Sequence, residues 1–195
     1  MDIILASKSP RRQELLRAMG FDFEVVSREV DESYSPDMDP AAVPVYLAEK
    51  KARAFDGETG KKLLITADTV VLSEGKILGK PAGREEAADM LGRLSGKRHE
   101  VITAVALLKD RELLSFSDTT SVFFAPLNAE EILFYVENFQ PFDKAGSYGI
   151  QEWIGHTKIT RIEGSYTNVV GLPTEKLYHS LLALDLAPAK GSRKR

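Results

Sequence analysis

Cysteine is absent from the 195 residues of this chain, and long apolar runs are absent as well. Without thiols the chain forms no disulfide, thiolate zinc site or iron–sulfur cluster, and it has no cysteine nucleophile. No stretch approaches the ~18 apolar residues of a membrane span, and the first apolar run is too short for a signal peptide. These absences predict a cytoplasmic protein with no membrane partner.

Positive charge is scarce in the body of the chain. The 26 Lys and Arg and 29 Asp and Glu give a net charge of −3. Four basic residues lie in the last six positions, and these are Lys190, Arg193, Lys194 and Arg195. Residues 1–189 therefore carry 22 basic against 29 acidic side chains, a net charge of −7. Because sequence-independent nucleic-acid binding needs a cationic face, we expect no stable nucleic-acid complex.

Apolar periodicity alternates between strand and helix along the chain, which predicts an α/β fold. Strands are predicted at 3–6, 21–26, 63–72, 76–78, 99–108, 111–124 and 157–163. Helices are predicted from Pro10 to Gly20 with Ser9 as cap, at 40–55, at 84–95, from a capping box at Asn128 and Glu131, and at 174–184. The length predicts one domain over residues 1–187, followed by a flexible basic tail at 188–195.

Three segments are predicted to be irregular. Residues 27–39 form a polar stretch that is long enough to suspect a function. Residues 143–151 are rich in glycine, and they end in a ring and an amide that could read a nucleobase, although the same glycines could serve only a tight turn. Residues 164–173 are predicted to be a loop.

The start of the first predicted helix is basic, with Lys8, Arg11 and Arg12 close together. The helix dipole disfavours cations at this end, and a bound phosphate would compensate by meeting backbone donors and guanidinium groups together. A solvated basic turn, which costs only about a few tenths of a kcal/mol, explains the pattern equally well.

Asp68 is the sharpest single signal, because it interrupts an otherwise apolar strand. A carboxylate at the end of such a strand is costly unless a cation, a hydrogen-bond network or a metal compensates it. A helix cap or a turn is the alternative, but Thr69 and the residues after it have the pattern of a strand. We therefore expect a functional carboxylate at a strand end.

Several familiar motifs are absent. The glycines before Lys80 and Lys97 have the wrong spacing for a phosphate-binding P-loop, and no Ser or Thr follows either lysine. Lys80, held beside Pro81, could still direct a charge toward a ligand. His99 lacks the second histidine of a zinc-protease motif.

Seven segments, taken in order, resemble the Maf family of nucleotide pyrophosphatases. They are Ser7-Lys8-Ser9-Pro10-Arg11-Arg12, Val30-Asp31-Glu32, residues 47–52, Ala67-Asp68-Thr69-Val70-Val71, Gly79-Lys80-Pro81, residues 143–151 and residues 164–173. The resemblance spans about residues 3 to 184. It implies a cytoplasmic, homodimeric enzyme with a mixed, twisted β-sheet and flanking helices, as in the inosine triphosphate pyrophosphatases.

The resemblance also implies roles for particular residues. The segment that ends in Tyr148-Gly149-Ile150-Gln151 is similar to the subgroup that acts on dTTP and UTP. Asp68 corresponds to the catalytic proton acceptor. The substrate-binding residues would be Ser7, Arg11, Arg12, Lys51, Thr69, Lys80 and Gln151, and the metal ligands would be Glu32 and Asp68. Glu152-Trp153 departs from many members, which have smaller residues there.

The sequence therefore predicts an enzyme that hydrolyses a pyrimidine nucleoside triphosphate to the monophosphate and pyrophosphate with the help of Mg²⁺ or Mn²⁺. Two alternatives stay open. The substrate could be a modified or deaminated purine nucleotide, or the protein could be a nonenzymatic nucleotide sensor that regulates cell division.

Overall fold

The structure is a computed structural model and describes residues 2–188. Of the basic tail predicted at 188–195, only Pro188 lies within the described residues. Across residues 2–188, every helix is too short or too polar to cross a lipid bilayer.

A seven-stranded mixed sheet forms the centre of the fold, as predicted. The strands are β1 (Ile3–Ala6), β2 (Phe23–Val26), β3 (Leu63–Ser73), β4 (Lys76–Leu78), β5 (Arg98–Lys109), β6 (Glu112–Phe124) and β7 (Ile159–Glu163). Their order is β2-β1-β3-β5-β6-β7, and β4 pairs with β3. β1 runs parallel to β2 and β3, whereas all other pairs are antiparallel.

The strands predicted at 99–108 and 111–124 pair as a long hairpin of β5 and β6, whose turn lies one residue later than the gap between the two predicted strands. Lys109 pairs with Glu112, so the two-residue turn is Asp110-Arg111. Both turn residues have positive φ angles, 48° and 69°. Two-residue hairpin turns that follow the twist of the strands need this backbone conformation.

Seven α-helices flank the sheet in the described part of the chain. They are α1 (Pro10–Ala18), α2 (Val43–Arg53), α3 (Arg84–Leu94), α4 (Ala129–Phe139), α5 (Trp153–Thr157), α6 (Tyr166–Val170) and α7 (Thr174–Ala183). The predicted capping box at the start of α4 is present, because Asn128 and Glu131 exchange side-chain-to-backbone hydrogen bonds of 2.9 Å. Gly20 ends the first helix region with a φ of 85°.

Two predictions about local structure were wrong. Residues 164–173 contain α6, whose first turn is capped by the Ser165 hydroxyl accepting from the Asn168 N–H. The short helix α5 was not predicted, and it delays the start of β7 to Ile159. In addition, Ser9 occupies the cap position of α1 without making a side-chain cap. Its N–H donates instead to the Ser7 hydroxyl at 3.2 Å.

Both faces of β3 are buried, which explains its nearly continuous apolar sequence. Leu63 and Ile65 pack with α1 and α7 on one face, whereas Leu64 packs against Ala48 and Ala52 of α2 on the other. Side chains alternate between the two faces along a strand. Even-numbered residues of β3 therefore face α2. Odd-numbered residues face the other side of the sheet, where Leu63 to Ala67 pack with α1 and α7 and Val71 packs with α3 and α4.

Candidate active site

A gap in the sheet creates the candidate site. On the edge of β3 that faces β1, residues 63–65 pair with β1 and residues 71–73 pair with β4. Within the described part of the chain, no strand pairs with residues 66–70 on that edge, whereas β5 covers the opposite edge throughout. The backbone groups of this short segment therefore need partners other than a strand.

The Arg12 guanidinium is the partner of one of these backbone groups, the carbonyl of Ala67. It donates to the backbone oxygens of Ala67 and Gly171, each at 2.8 Å, and to the Thr69 hydroxyl at 2.9 Å. Burial lowers the pKa of Arg12 below its ordinary value, and the charge of Asp68 opposes that effect. A guanidinium has five N–H donors, so two remain for a ligand.

The Thr69 hydroxyl is committed to the same network. Thr103 donates to the backbone oxygen of Asn168 at 2.9 Å, so the contact of 3.0 Å between the Thr69 and Thr103 hydroxyls needs Thr69 as donor. Because Thr69 also accepts from Arg12, only one acceptor position of its hydroxyl remains. Thr69 therefore presents an acceptor to the cavity.

Lys51 of α2 joins two carboxylates. Its ammonium lies 2.6 Å from Asp68 Oδ1 and 2.7 Å from Glu32 Oε1. Burial raises the pKa of Glu32, but the hydrogen bond and charge of Lys51, with the charges of Lys80 and Arg12, outweigh burial and leave the pKa below its ordinary value. Glu32 belongs to the polar loop at 27–39, and this ion pair holds that loop over the cavity.

The prediction that Asp68 lies at a strand end was wrong. Asp68 lies in the middle of β3 and is 8% exposed. Asp68 is accessible because neither β1 nor β4 pairs with residues 66–70 on their edge of β3. Strand alternation turns Asp68 toward α2, as it turns Leu64 and Val70, and Lys51 meets it there.

Two adjoining cavities of about 420 and 530 Å³ bring all the predicted site residues together. The first is lined by Arg11, Arg12, Glu32, Lys51, Asp68, Thr69, Lys80 and Gln151, among others. The second shares Arg11, Arg12, Glu32, Lys51 and Lys80 with it and adds Ser7 and Lys8. The shared wall therefore carries four cationic side chains and the carboxylates of Glu32 and Asp143.

Residues 143–151 form the opposite wall of the first cavity. Gln151 is exposed, whereas Tyr148 is buried and its hydroxyl lies 2.7 Å from His99 Nε2. The Lys144 ammonium is buried and lies 2.7 Å from Asp143 Oδ1. Asp143 in turn accepts from Arg11 at 3.0 Å, which connects this wall to the start of α1.

Lys144 and Tyr34 also line the first cavity and were not singled out from the sequence. The adjacent pair Asp143-Lys144 inside a glycine-rich segment is the signal that could have identified Lys144. Tyr34 lies in the polar loop at 27–39, where no periodic pattern indicates the direction of a side chain.

The carboxylates present suit a magnesium-type ion. Across residues 2–188, no three His, Cys, Asp or Glu side chains cluster as a complete metal site. Glu32 and Asp68 nevertheless converge on one cation, the Lys51 ammonium. Mg²⁺ is commonly bound by one or two carboxylates together with water and substrate phosphates, so these two oxygen donors fit Mg²⁺ or Mn²⁺.

The architecture is shared with a HAM1 protein from Coxiella burnetii. That structure matches with a TM-score of 0.51 and 18% identity over 94% of this chain and 99% of its own. This likeness supports the predicted fold class, a mixed sheet with flanking helices.

Comparison of the amino-acid sequence, unlike that of the fold, identifies a family and relatives of about 50% identity. A family model described as Maf-like protein matches residues 2–184. A dTTP/UTP pyrophosphatase of Bacteroides fragilis is 50% identical over 184 residues, which cover 93% of this chain and 95% of that protein. A dTTP/UTP pyrophosphatase of Flavobacterium johnsoniae is 46% identical over 183 residues, with 93% and 94% covered. The chain therefore belongs to the Maf family.

Proposed function

We propose that this protein hydrolyses dTTP and UTP to the nucleoside monophosphate and pyrophosphate. The observation that supports this function most strongly is the Asp68 carboxylate, which lies in a cavity whose wall carries five cationic side chains. Those side chains are Arg11, Arg12, Lys51, Lys80 and Lys144. The pyrimidine substrates follow from relatives of about 50% identity that carry the name dTTP/UTP pyrophosphatase.

The cationic wall would bind the triphosphate. Catalysis of phosphoryl transfer depends mainly on positioning the phosphates and neutralising their charge. The two guanidinium groups at the start of α1 can each form paired hydrogen bonds with phosphate oxygens, next to the free N–H groups of the first helical turn. Lys80 and Lys51 add compact charges from the facing elements.

Asp68 would act on the water that attacks the α-phosphorus. In this role its carboxylate accepts a hydrogen bond from the water, orients it and takes its proton. Lys51 holds the carboxylate in place through Oδ1. Glu32 and Asp68 would hold a Mg²⁺ or Mn²⁺ ion, which when bound neutralises phosphate charge and polarises the phosphoryl oxygens.

Gln151 would read the base. Its amide offers one acceptor and two donors, and the edge of uracil or thymine offers an N–H between two carbonyl oxygens. Cytosine replaces one of those carbonyls by an amino group, so the same amide orientation would leave a mismatched pair. An unpaired polar group in a closed site is costly, which gives the cavity a means of selection.

A nucleotide panel with detection of released pyrophosphate tests the proposal. Release from dTTP and UTP, dependent on added Mg²⁺ or Mn²⁺ and weak with CTP and purine triphosphates, is the expected result. Preference for a modified or deaminated purine triphosphate would reassign the substrate. Tight nucleotide binding without turnover would instead support a sensor, particularly if deletion of residues 188–195 abolished its activity in cells.

The cytoplasmic location, the homodimer and the single domain over residues 1–187 remain predictions. Sedimentation of the purified chain, with and without nucleotide, measures the oligomeric state directly.

A further inference from the structure

The base-reading amide is carried by a tight turn. The N–H of Glu152 donates to the backbone oxygen of Gly149 at 3.0 Å, which closes a four-residue turn with Gln151 in third position. The orientation of the Gln151 side chain therefore depends on how firmly the two ends of this turn, Gly149 and Glu152, are held.

One hydroxyl contacts both ends. The Tyr135 hydroxyl accepts from the N–H of Gly149 at 3.0 Å and donates to Oε2 of Glu152. Burial, reinforced by the Glu152 carboxylate, raises the pKa of Tyr135 well above its ordinary range, so the hydroxyl keeps the proton that it donates. Tyr135 belongs to α4, is fully buried and stacks on Phe139 with ring centroids 5.0 Å apart. The hydroxyl is therefore fixed by a helix and not by the turn that it holds.

Lys144 balances the charge of the turn. Its ammonium lies 3.1 Å from Glu152 Oε1, and its side chain is only 10% exposed. Each carboxylate oxygen of Glu152 thus has its own donor, Lys144 on one and Tyr135 on the other. A partly buried carboxylate without such partners would be costly, so the three groups stabilise one another.

The absence of a side chain at Gly149 is part of this arrangement. A Cβ atom at Gly149 would lie 2.8 Å from the carboxyl carbon of Glu152. The carboxylate can approach the turn so closely only because position 149 is glycine. The approach of the carboxylate to the turn therefore requires glycine at position 149 as well as Glu152.

We propose that Tyr135 and Glu152 are positioning residues for base selection: together they clamp the turn that carries Gln151 and so fix the direction of its amide. This inference rests on the proposed function for its substrate. Neither residue lines the cavity beside Asp68 in the described part of the chain, so the clamp acts on recognition through Gln151. Glu152 also pairs with Lys144, which does line that cavity, so Tyr135 is the residue whose effect passes through the turn alone.

Tyr135→Phe tests the clamp by removing one oxygen from a buried ring. We expect KM for UTP to rise about tenfold with little change in kcat, and the preference for UTP over CTP to fall by a similar factor, because the hydrogen bonds to Gly149 and Glu152 are both lost. The Gly149 amide should also exchange with deuterium faster. Tyr178→Phe is the matched control. Tyr178 lies on α7, where its ring packs against Phe21, away from the turn. Equal effects of the two variants would contradict the clamp.

Two further comparisons separate positioning from general destabilisation. In a Gln151→Ala background, Tyr135→Phe should cost no further selectivity, whereas additive losses would overturn the inference. Glu152→Gln keeps an oxygen for Tyr135 and should retain most of the preference, whereas Glu152→Ala should lose it. A merely structural role would lower kcat and thermal stability in all variants without this pattern.

The deuterium exchange of Gly149 needs no substrate. If the wild-type protein released no pyrophosphate from UTP or dTTP, the proposed function would fail, and faster exchange in Tyr135→Phe would still support the clamp. Unchanged exchange in an active enzyme would reject the clamp and leave the proposed function intact.

Discussion

The ammonium nitrogen of Lys51 lies 2.6 Å from Oδ1 of Asp68, and the two residues come from a helix and a strand that pack face to face. The pair lies beside residues 66–70 of β3, which are unpaired on one edge of the strand. The Asp68 carboxylate therefore reaches a cavity although it lies in the middle of a buried strand. This contact fixes the direction of the carboxylate before any ligand binds. Preorganised groups of this kind carry much of the rate enhancement of enzymes.

Asp68→Asn should abolish pyrophosphate release and leave nucleotide binding largely intact. The amide keeps the shape of the side chain and an oxygen for Lys51, but it cannot take a proton from water. Loss of a general base lowers turnover by about 10² to 10⁴-fold. Turnover with UTP and calorimetric nucleotide binding measure the two effects.

Asp118→Asn provides a matched control for that variant. Asp118 also pairs with a lysine, Lys176, at 2.7 Å, but it lies on β6 outside the cavity. This control should keep near-native turnover. Near-native turnover in Asp68→Asn itself would remove Asp68 from its assigned role.

Gln151→Ala should change selectivity more than folding. Gln151 is exposed at the cavity wall, and its truncation leaves no buried cavity behind, so the melting temperature should barely move. The ratio of kcat/KM for dTTP to that for CTP should fall about tenfold, since one or two base contacts are lost. An unchanged ratio would show that another group reads the base.

The sequence was sufficient to identify the unusual residues but not their geometry. An acid in an apolar run and arginines at a helix start both break local rules, and such violations point to functional sites. The position of Asp68 inside β3 depends on where β1 and β4 end along a neighbouring edge, which no local pattern in residues 63–73 encodes.

Contacts between distant segments explain the rest of what was missed. Tyr135 and Glu152 are 17 positions apart and meet only because α4 packs beside the glycine-rich segment. The helix α6 has five residues, too few for an apolar period to emerge. The hairpin of β5 and β6 was predictable because its signals, alternating residues around a polar turn, are local.

Arg12→Lys should destabilise the fold as well as reduce turnover. A lysine has no planar fork and cannot replace three hydrogen bonds that reach Ala67, Thr69 and Gly171. Leaving buried carbonyl groups unpaired costs about 1–3 kcal/mol each, so a total loss of about 3 kcal/mol is expected. Urea unfolding measures this loss.

Arg11→Lys is the matched control, one position earlier on the same helix. Arg11 makes an ion pair with Asp143 at the surface of the cavity, and a lysine can form that pair too. Its unfolding free energy should stay within about 0.5 kcal/mol of wild type. If both variants were equally stable, the guanidinium of Arg12 would not be closing the gap in the sheet.

His99 should make the stability of the fold depend on pH. Burial lowers the pKa of His99 from 6.5 to about 4. The ring is 2% exposed, lies edge-on to Phe124 and Tyr148, and has no partner for Nδ1 within the described residues. In the unfolded chain the ring takes up a proton near pH 6.5, whereas in the folded protein it stays neutral down to about pH 4. The contribution of His99 to the free energy of unfolding is therefore fully present above pH 6.5. It falls by about 3 kcal/mol in total as the pH drops from 6.5 to about 4.

The test compares unfolding free energies at pH 7.5 and pH 4 for the wild type and two variants. His99→Gln keeps a polar partner for the Tyr148 hydroxyl but does not titrate, so its loss of stability on acidification should be about 3 kcal/mol smaller than that of the wild type. His156→Gln changes an exposed ring on α5 and should behave as the wild type does. Carboxylates titrate over the same range in all three proteins, so only the difference between them reports on His99. An identical loss in all three would mean that the buried ring is protonated in the folded protein as readily as in the unfolded chain.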